Sequence, residues 1–197
     1  MSKIDFNALR DRAYKCAYAH GFHNTELSNG HLLMLVITEL SEAVEADRKG
    51  KYFKGISTFE REFNRYSALV DENKRFECAF EKYVKDTVSD EMADAVIRLL
   101  DLAGLRGISL EFANGDIDDC IEDMAEACKD ETFTESIYSI STLPVRYDGI
   151  FDFPTAVNDM ILSIFGLAKH LDIDLLWHIE HKMKYNELRE NKHGKRY

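Results

Sequence analysis

Apolar residues along this chain recur every three or four positions in nearly every segment, which is the period of a helix and not the alternation of a strand. Only 2 prolines and 10 glycines punctuate the 197 residues, so the pattern predicts an all-α protein with no strand. Phe6, Leu9, Ala13, Cys16 and Ala17 mark a first helix over about 5–20, stopped by Gly21, and Phe22-His23-Asn24 then reads as a loop. A second helix covers 31–50, with Ser28 or Asn29 as N-cap, Arg48 and Lys49 complementing its dipole, and Gly50 ending it. Residues 51–86 are polar and aromatic. Short helical patterns at Phe59-Phe63-Tyr66 and Phe76-Phe80-Tyr83 make them a peripheral hairpin. A third main helix is expected over 88–105 before Gly107, and a last one over about 174–190 that runs into a basic tail. Pro144 and Pro154 should bracket a loop holding Tyr147, Phe151 and Phe153.

Two carboxylates break the apolar stripe of the second helix. Glu39 falls among Leu32, Leu35, Ala43 and Ala46, with Glu42 one turn further, and both are expected to face inward. An unpaired carboxylate costs several kcal/mol to bury, so such a pair calls for a cation, a partner or a raised pKa. Glu91 and Asp94 repeat the spacing on the third helix. If the two helices pack antiparallel, four carboxylates surround one point, and an all-oxygen set without histidine suits Mg²⁺. A di-iron site would need Glu-x-x-His inside core helices, whereas Glu190 with His193 lies in the polar tail. The competing reading is a set of solvated salt ladders, for which Asp94, Arg98 and Asp101 have the spacing.

The stretch from His181 to Arg189 places Lys182, Asn186 and Arg189 on one face, a row able to grip a polyphosphate, and Lys192, Lys195 and Arg196 follow it. A basic last helix that is merely soluble surface is the alternative. His20, His23, His31 and His170 read as loop or core residues and Trp177 as a core anchor. The chain carries no Gly-rich phosphate loop and no nucleophile elbow.

A net charge of -11 argues against coating nucleic acid or a membrane surface, and leaves an anionic substrate dependent on local cations or a metal. Cys16, Cys78, Cys120 and Cys128 form no zinc-type pair and are expected as reduced core thiols. With no apolar signal core and no apolar run of about 18 residues, the expected compartment is the cytoplasm.

From Ile108 the sequence partly repeats itself. Residues 121–128 lie over 37–44, and 158–161, 167–168 and 173–175 lie over 93–96, 102–103 and 108–110. This divides the chain into a lobe over 1–107 and a degenerate copy over 108–197. In the second copy Asp123, Glu126 and Asp159 persist, but Ala156 stands where Glu91 stood. The first has Ile117, Ile121 and Met124 where Lys182, Asn186 and Arg189 stand. One composite site, with acids from the first half and the phosphate grip from the second, is the expectation.

Glu-Leu-Ser-Glu-Ala at 39–43, Glu-Met-Ala-Asp-Ala-Val-Ile-Arg-Leu-Leu-Asp-Leu-Ala at 91–103 and Lys-Met-Lys-Tyr-Asn-Glu-Leu-Arg at 182–189 together resemble the MazG-type all-α nucleoside triphosphate pyrophosphohydrolases. The resemblance covers about half of the chain and implies a MazG-like helical bundle. It further implies hydrolysis of (d)NTPs to monophosphate and pyrophosphate, as in nucleotide-pool sanitation, with Mg²⁺, or Mn²⁺ in its place, on Glu39, Glu42, Glu91 and Asp94. Lys182 and Asn186 would hold phosphate, with Tyr185 and Arg189 beside them, and Glu42 or Glu45 would be the base. The implied partner is the nucleotide, with neither nucleic acid nor membrane, and a homodimer is compatible with it. The chain departs from the family in the insert at 51–86, expected to reshape the base pocket, and in the second copy before the last motif. The rivals are a catalytically inactive nucleotide-sensing module and a protein-interaction module.

Overall fold

The computed structural model describes residues 4–67, 69–110 and 117–190, and every regular element among them is a helix. In chain order these are α1 Phe6–Ala19, α2 Asn29–Arg48, α3 Ile56–Phe63, α4 Glu72–Tyr83, α5 Val88–Arg106, α6 Ile117–Ala127, α7 Phe133–Tyr147, α8 Phe153–His170 and α9 Leu175–Glu187. Local chemistry sets their starts. Asp5, Ser28, Asp71, Thr87, Thr132, Asp152 and Asp174 each accept a hydrogen bond from a backbone N–H of the first turn, satisfying donors that a helix start leaves open. Gly107, at φ 63°, ends α5 in the left-handed conformation.

Helix α5 is the axis of the molecule. Its Ala93, Ala95, Val96, Leu99, Leu100 and Ala103 are all fully buried, because α1, α2, α8 and α9 pack around it. The α2 pairing is antiparallel: Arg106 at the end of α5 donates to Asn29 at the start of α2, and the Val88 N–H at the other end donates to Lys51 O. In the second half α6 and α7 pack on α8. There Gly166 permits a backbone approach, since a Cβ at that position would lie 2.8 Å from Met124 C and 2.9 Å from Ala125 N. One apolar core, from Phe6 to Met183, joins both halves. No helix among the described residues is long and apolar enough to cross a membrane.

The stretch at 51–86 forms the expected helical hairpin, α3 and α4, with its own core of Phe59, Phe76, Phe80 and Val84 closed by Tyr185 of α9. Phe80 and Tyr185 stack at 4.5 Å. Pro144 does not open a loop. It lies inside α7, and Pro154 occupies the first turn of α8, where a missing N–H costs nothing, so only 148–152 connect the helices. Placing Ile117, Ile121 and Met124 as the first copy's counterpart of the last helix also needs correction. Helix α6 packs on α8, as α2 packs on α5, while the position beside α5 is filled by α9 from the chain's other end. Of the cysteines Cys128 is buried and the other three are half-buried, all with free thiols. The basic tail from 191 to 197, with Lys192, His193, Lys195 and Arg196, lies outside the described residues.

Candidate functional site

The antiparallel α2–α5 pair and the crossing α9 bring acids and cations together. Glu39, Glu91 and Asp94 each place a carboxylate oxygen within 4.8 Å of the others. Thr87 caps α5 so that Asp90 and Glu91 enter in its first turn, already buried, with Asp94 one turn on and less buried. Two cations reach the acids. Arg98 Nε donates to Glu39 Oε1 at 2.5 Å, and Lys182 Nζ sits 2.8 Å from both Asp90 Oδ2 and Asp94 Oδ2. Asp90 also accepts from its neighbouring turn, the Asp86 N–H at 3.0 Å.

Four acids thus meet two cations, and Glu91 is the one without an ion pair among the described residues. Burial, then the charges of Asp94 and Asp90, push its pKa up to about 8. Burial also raises Asp90, opposed by Lys182. For Lys182 burial acts against the ammonium, but Asp94 and Asp90 outweigh it and shift the pKa upward. The lysine is therefore the fixed charge of the network.

A pH prediction follows from Glu91. An acid whose folded pKa lies above its unfolded value of about 4.5 favours folding in its neutral form, so its contribution is complete below pH 4.5 and is lost as pH rises toward 8. Glu91→Gln should accordingly raise the metal-free melting temperature more at pH 8 than at pH 5. Equal shifts at both would show that the carboxyl is ionised throughout.

Beside the acids lies a cavity of about 110 Å³ between α1, α2, α5 and α9. Phe22, Leu27, Leu32, Leu35 and Ile97 give it an apolar wall; Asp94, Arg98, Asn186 and Arg189 line its polar side, with His23 and Asp101. Asn186 is 8% exposed and its Oδ1 has no hydrogen-bond partner. His23 Nε2 meets the Asp101 carboxylate at 2.9 Å, and His23 Nδ1 is buried without a partner. Burial raises the Asp101 pKa against the hydrogen bond from His23.

The predicted residues therefore divide. Glu39, Glu91 and Asp94 converge, and Asn186 and Arg189 share the adjoining cavity with Asp94. Glu42 does not face inward; it is exposed. At about 100° per residue it is rotated roughly 60° from Glu39, away from Ala43 and the buried stripe. Glu45 is half-buried and pairs with Arg48 and Lys49, not with the cluster. Lys182 is not a surface grip: it is 5% exposed, with Asp90 and Asp94 as its partners. Tyr185 faces the hairpin instead of the cavity, donating to Glu81 at 3.1 Å. Arg189 lies past the end of α9 but still reaches the cavity wall. Of the second-copy acids, Asp123 and Glu126 are exposed, Glu126 pairs with Lys129, and Asp159 accepts from Tyr147 at 2.8 Å. Among the described residues they join no cluster of potential ligands.

Asp90 and the His23–Asp101 pair escaped the sequence reading. Asp90 had a signal, since it shares a face with Asp94 one turn away, and two acids in that relation repel unless a cation lies between them. None of the described residues of the hairpin at 51–86 lines the cavity. Comparison with family models, curated proteins and solved structures finds no match to this chain.

Proposed function

We propose that this chain is a Mg²⁺-dependent hydrolase of nucleoside triphosphates that releases pyrophosphate, on a MazG-like bundle. The observation that carries the reading is the convergence of Glu39, Glu91 and Asp94 within 4.8 Å, at the edge of a cavity shared with Asn186 and Arg189. The donor set fits the ion, since Mg²⁺ takes oxygen ligands and commonly shares its shell with substrate phosphates. Glu91, without a cation of its own, is the ligand most in need of one. When bound, the ion supplies positive charge against the phosphate oxygens. Glu39, Glu91 and Asp94 would hold it, each through a carboxylate oxygen. Arg189 and Asn186 orient the phosphates from the α9 side, while Lys182 fixes Asp90 and Asp94 in place.

A second reading has an observation in its favour. Lys182 and Arg98 already meet three of the four acids, as they would in a purely structural ion cluster. Pyrophosphate release from a dNTP panel with Mg²⁺ or Mn²⁺ separates the two. Hydrolysis should be metal-dependent, and Glu39→Gln or Asp94→Asn should lower kcat at least about 100-fold without unfolding the chain. Absence of turnover together with no Mg²⁺-induced rise in melting temperature leaves the ion cluster as the role of these acids.

A further inference from the structure

We propose that the outer face of α7 is the contact between two copies of this chain, packed antiparallel about a two-fold axis. The mass of the assembly reads this directly, so it stands apart from the hydrolase reading.

Helix α7 carries two apolar stripes. Ile137, Ile140 and Leu143 are buried where the helix packs on α8 and α2. The second stripe runs through Tyr138, Thr142 and Val145, at the four-and-three spacing of a coiled-coil seam. Tyr138 is 71% and Val145 79% exposed, and the exposed Ile150 and Phe151 follow just past the helix end. Of ten exposed large hydrophobics among the described residues, four lie between 138 and 151. Scattered singly they would need no partner; gathered along one helix and the loop after it, they form a patch that one can cover.

Charge selects the partner. An open groove of about 630 Å³ runs along the stripe, with Glu131 and Glu135 toward the start of α7 and Arg146 toward its end. None of the three has an ion pair among the described residues. Glu131 accepts from the Ser136 hydroxyl, Glu135 closes a capping box with Thr132, and Arg146 donates back to Ser139 O at 2.8 Å. Each copy thus offers acids at one end of an apolar row and a cation at the other, a pattern that complements itself when turned end for end. Setting Tyr138 on the partner's Thr142 brings Arg146 beside the partner's Glu135, and the two-fold axis makes each contact twice. Ile150 and Phe151 then reach over the α6–α7 turn of the other copy. Parallel pairing would set acid against acid. One helix face and a loop bury an area near or below the roughly 1,200 Å² where stable interfaces begin, so the pair is weak and reversible.

Sedimentation velocity of the full chain from about 1 to 200 µM should show monomer passing to dimer, in about 0.15 M salt that screens the net charge of -11. Val145→Glu, Glu135→Arg and Arg146→Glu should each raise the dimer Kd at least about 10-fold with helicity by circular dichroism unchanged, since all three side chains are exposed. Combining Glu135→Arg with Arg146→Glu reverses both ends of the row and should return the Kd toward that of the wild type. The Thr132 hydroxyl still accepts from the backbone N–H of residue 135, so α7 keeps a cap in that variant. A wild type that stays monomeric throughout, including one whose α7 face takes up vesicles or an unrelated protein, overturns the assignment. So does a dimer that Val145→Glu leaves intact, and a double reversal that recovers nothing overturns the antiparallel pairing.

Discussion

Lys182→Ala should cost roughly 3 to 5 kcal/mol of stability, the range for removing one partner of a buried ion pair. A substituted surface lysine would change stability by only about 0.5 kcal/mol. The difference is the burial of what is left behind. Asp90 is fully buried, Asp94 partly, and the lysine ammonium is 2.8 Å from each. Without it, Asp90 keeps the Asp86 N–H, while the Asp94 carboxylate repels it. Urea denaturation at pH 7 reads the loss. Two controls identify its cause. Asp90→Asn with Lys182→Met should recover more than half of it, since the stranded charge is gone, and Mg²⁺ should recover part in the single variant if the acids bind the ion. A loss below about 1 kcal/mol would mean that solvent reaches Asp90 and that the pair is not a buried one.

This expectation differs from what the sequence suggests, and the reason lies in the long-range packing. Helical period alone gives the all-α class and the bounds of α2 and α5 to within a residue or two, because their caps and terminal glycines are local signals. Glu39 is legible as a buried acid for the same reason, standing in a run of leucines and alanines. Glu42 is misjudged because three residues' spacing leaves about 60° of rotation, enough to leave a stripe whose edge is Glu39 itself. Asp94 is legible as a site acid, but its partner is not. The ladder spacing with Arg98 and Asp101 is present, yet Arg98 bonds Glu39 across to α2, Asp101 bonds His23 and Asp94 bonds Lys182. These choices depend on where α2, α9 and the loop after α1 come to rest, which no window of neighbouring residues encodes. Helix α7 lacks a clear advance signal, since Ser, Thr, Tyr and Pro weaken its helical propensity; its place is set by packing on α8 and α2.

A larger effect is expected from cutting the chain after Gly107. The fragment 1–107 keeps Glu39, Asp90, Glu91 and Asp94, so if the first lobe were self-contained it would fold and, on the hydrolase reading, hold its metal. The packing argues otherwise. Helix α5 is covered on part of its circumference by α8 and α9, and the single core that runs from Phe6 to Met183 would lose Val157, Met160, Ile161, Ile164, Ile179 and Met183. The hairpin at 51–86 would lose Tyr185 and Trp177 from its own cluster. The cut also removes Lys182, so the cost argued above for that residue adds to the apolar loss. Domains have only about 5 to 15 kcal/mol of net stability, and fully burying one large aliphatic side chain contributes about 1.5 to 3 kcal/mol. Losing the contacts of several such side chains exceeds that margin. The fragment should show partial helicity by circular dichroism, poorly dispersed amide resonances and no cooperative melting transition. Added residues 108–197 should restore cooperativity, because α9 carries both the apolar cover and the cation that the acids of α5 require. A sharp melting transition for 1–107 alone would refute the shared core, and would place α9 on the first lobe as an accessory instead of a part of its fold.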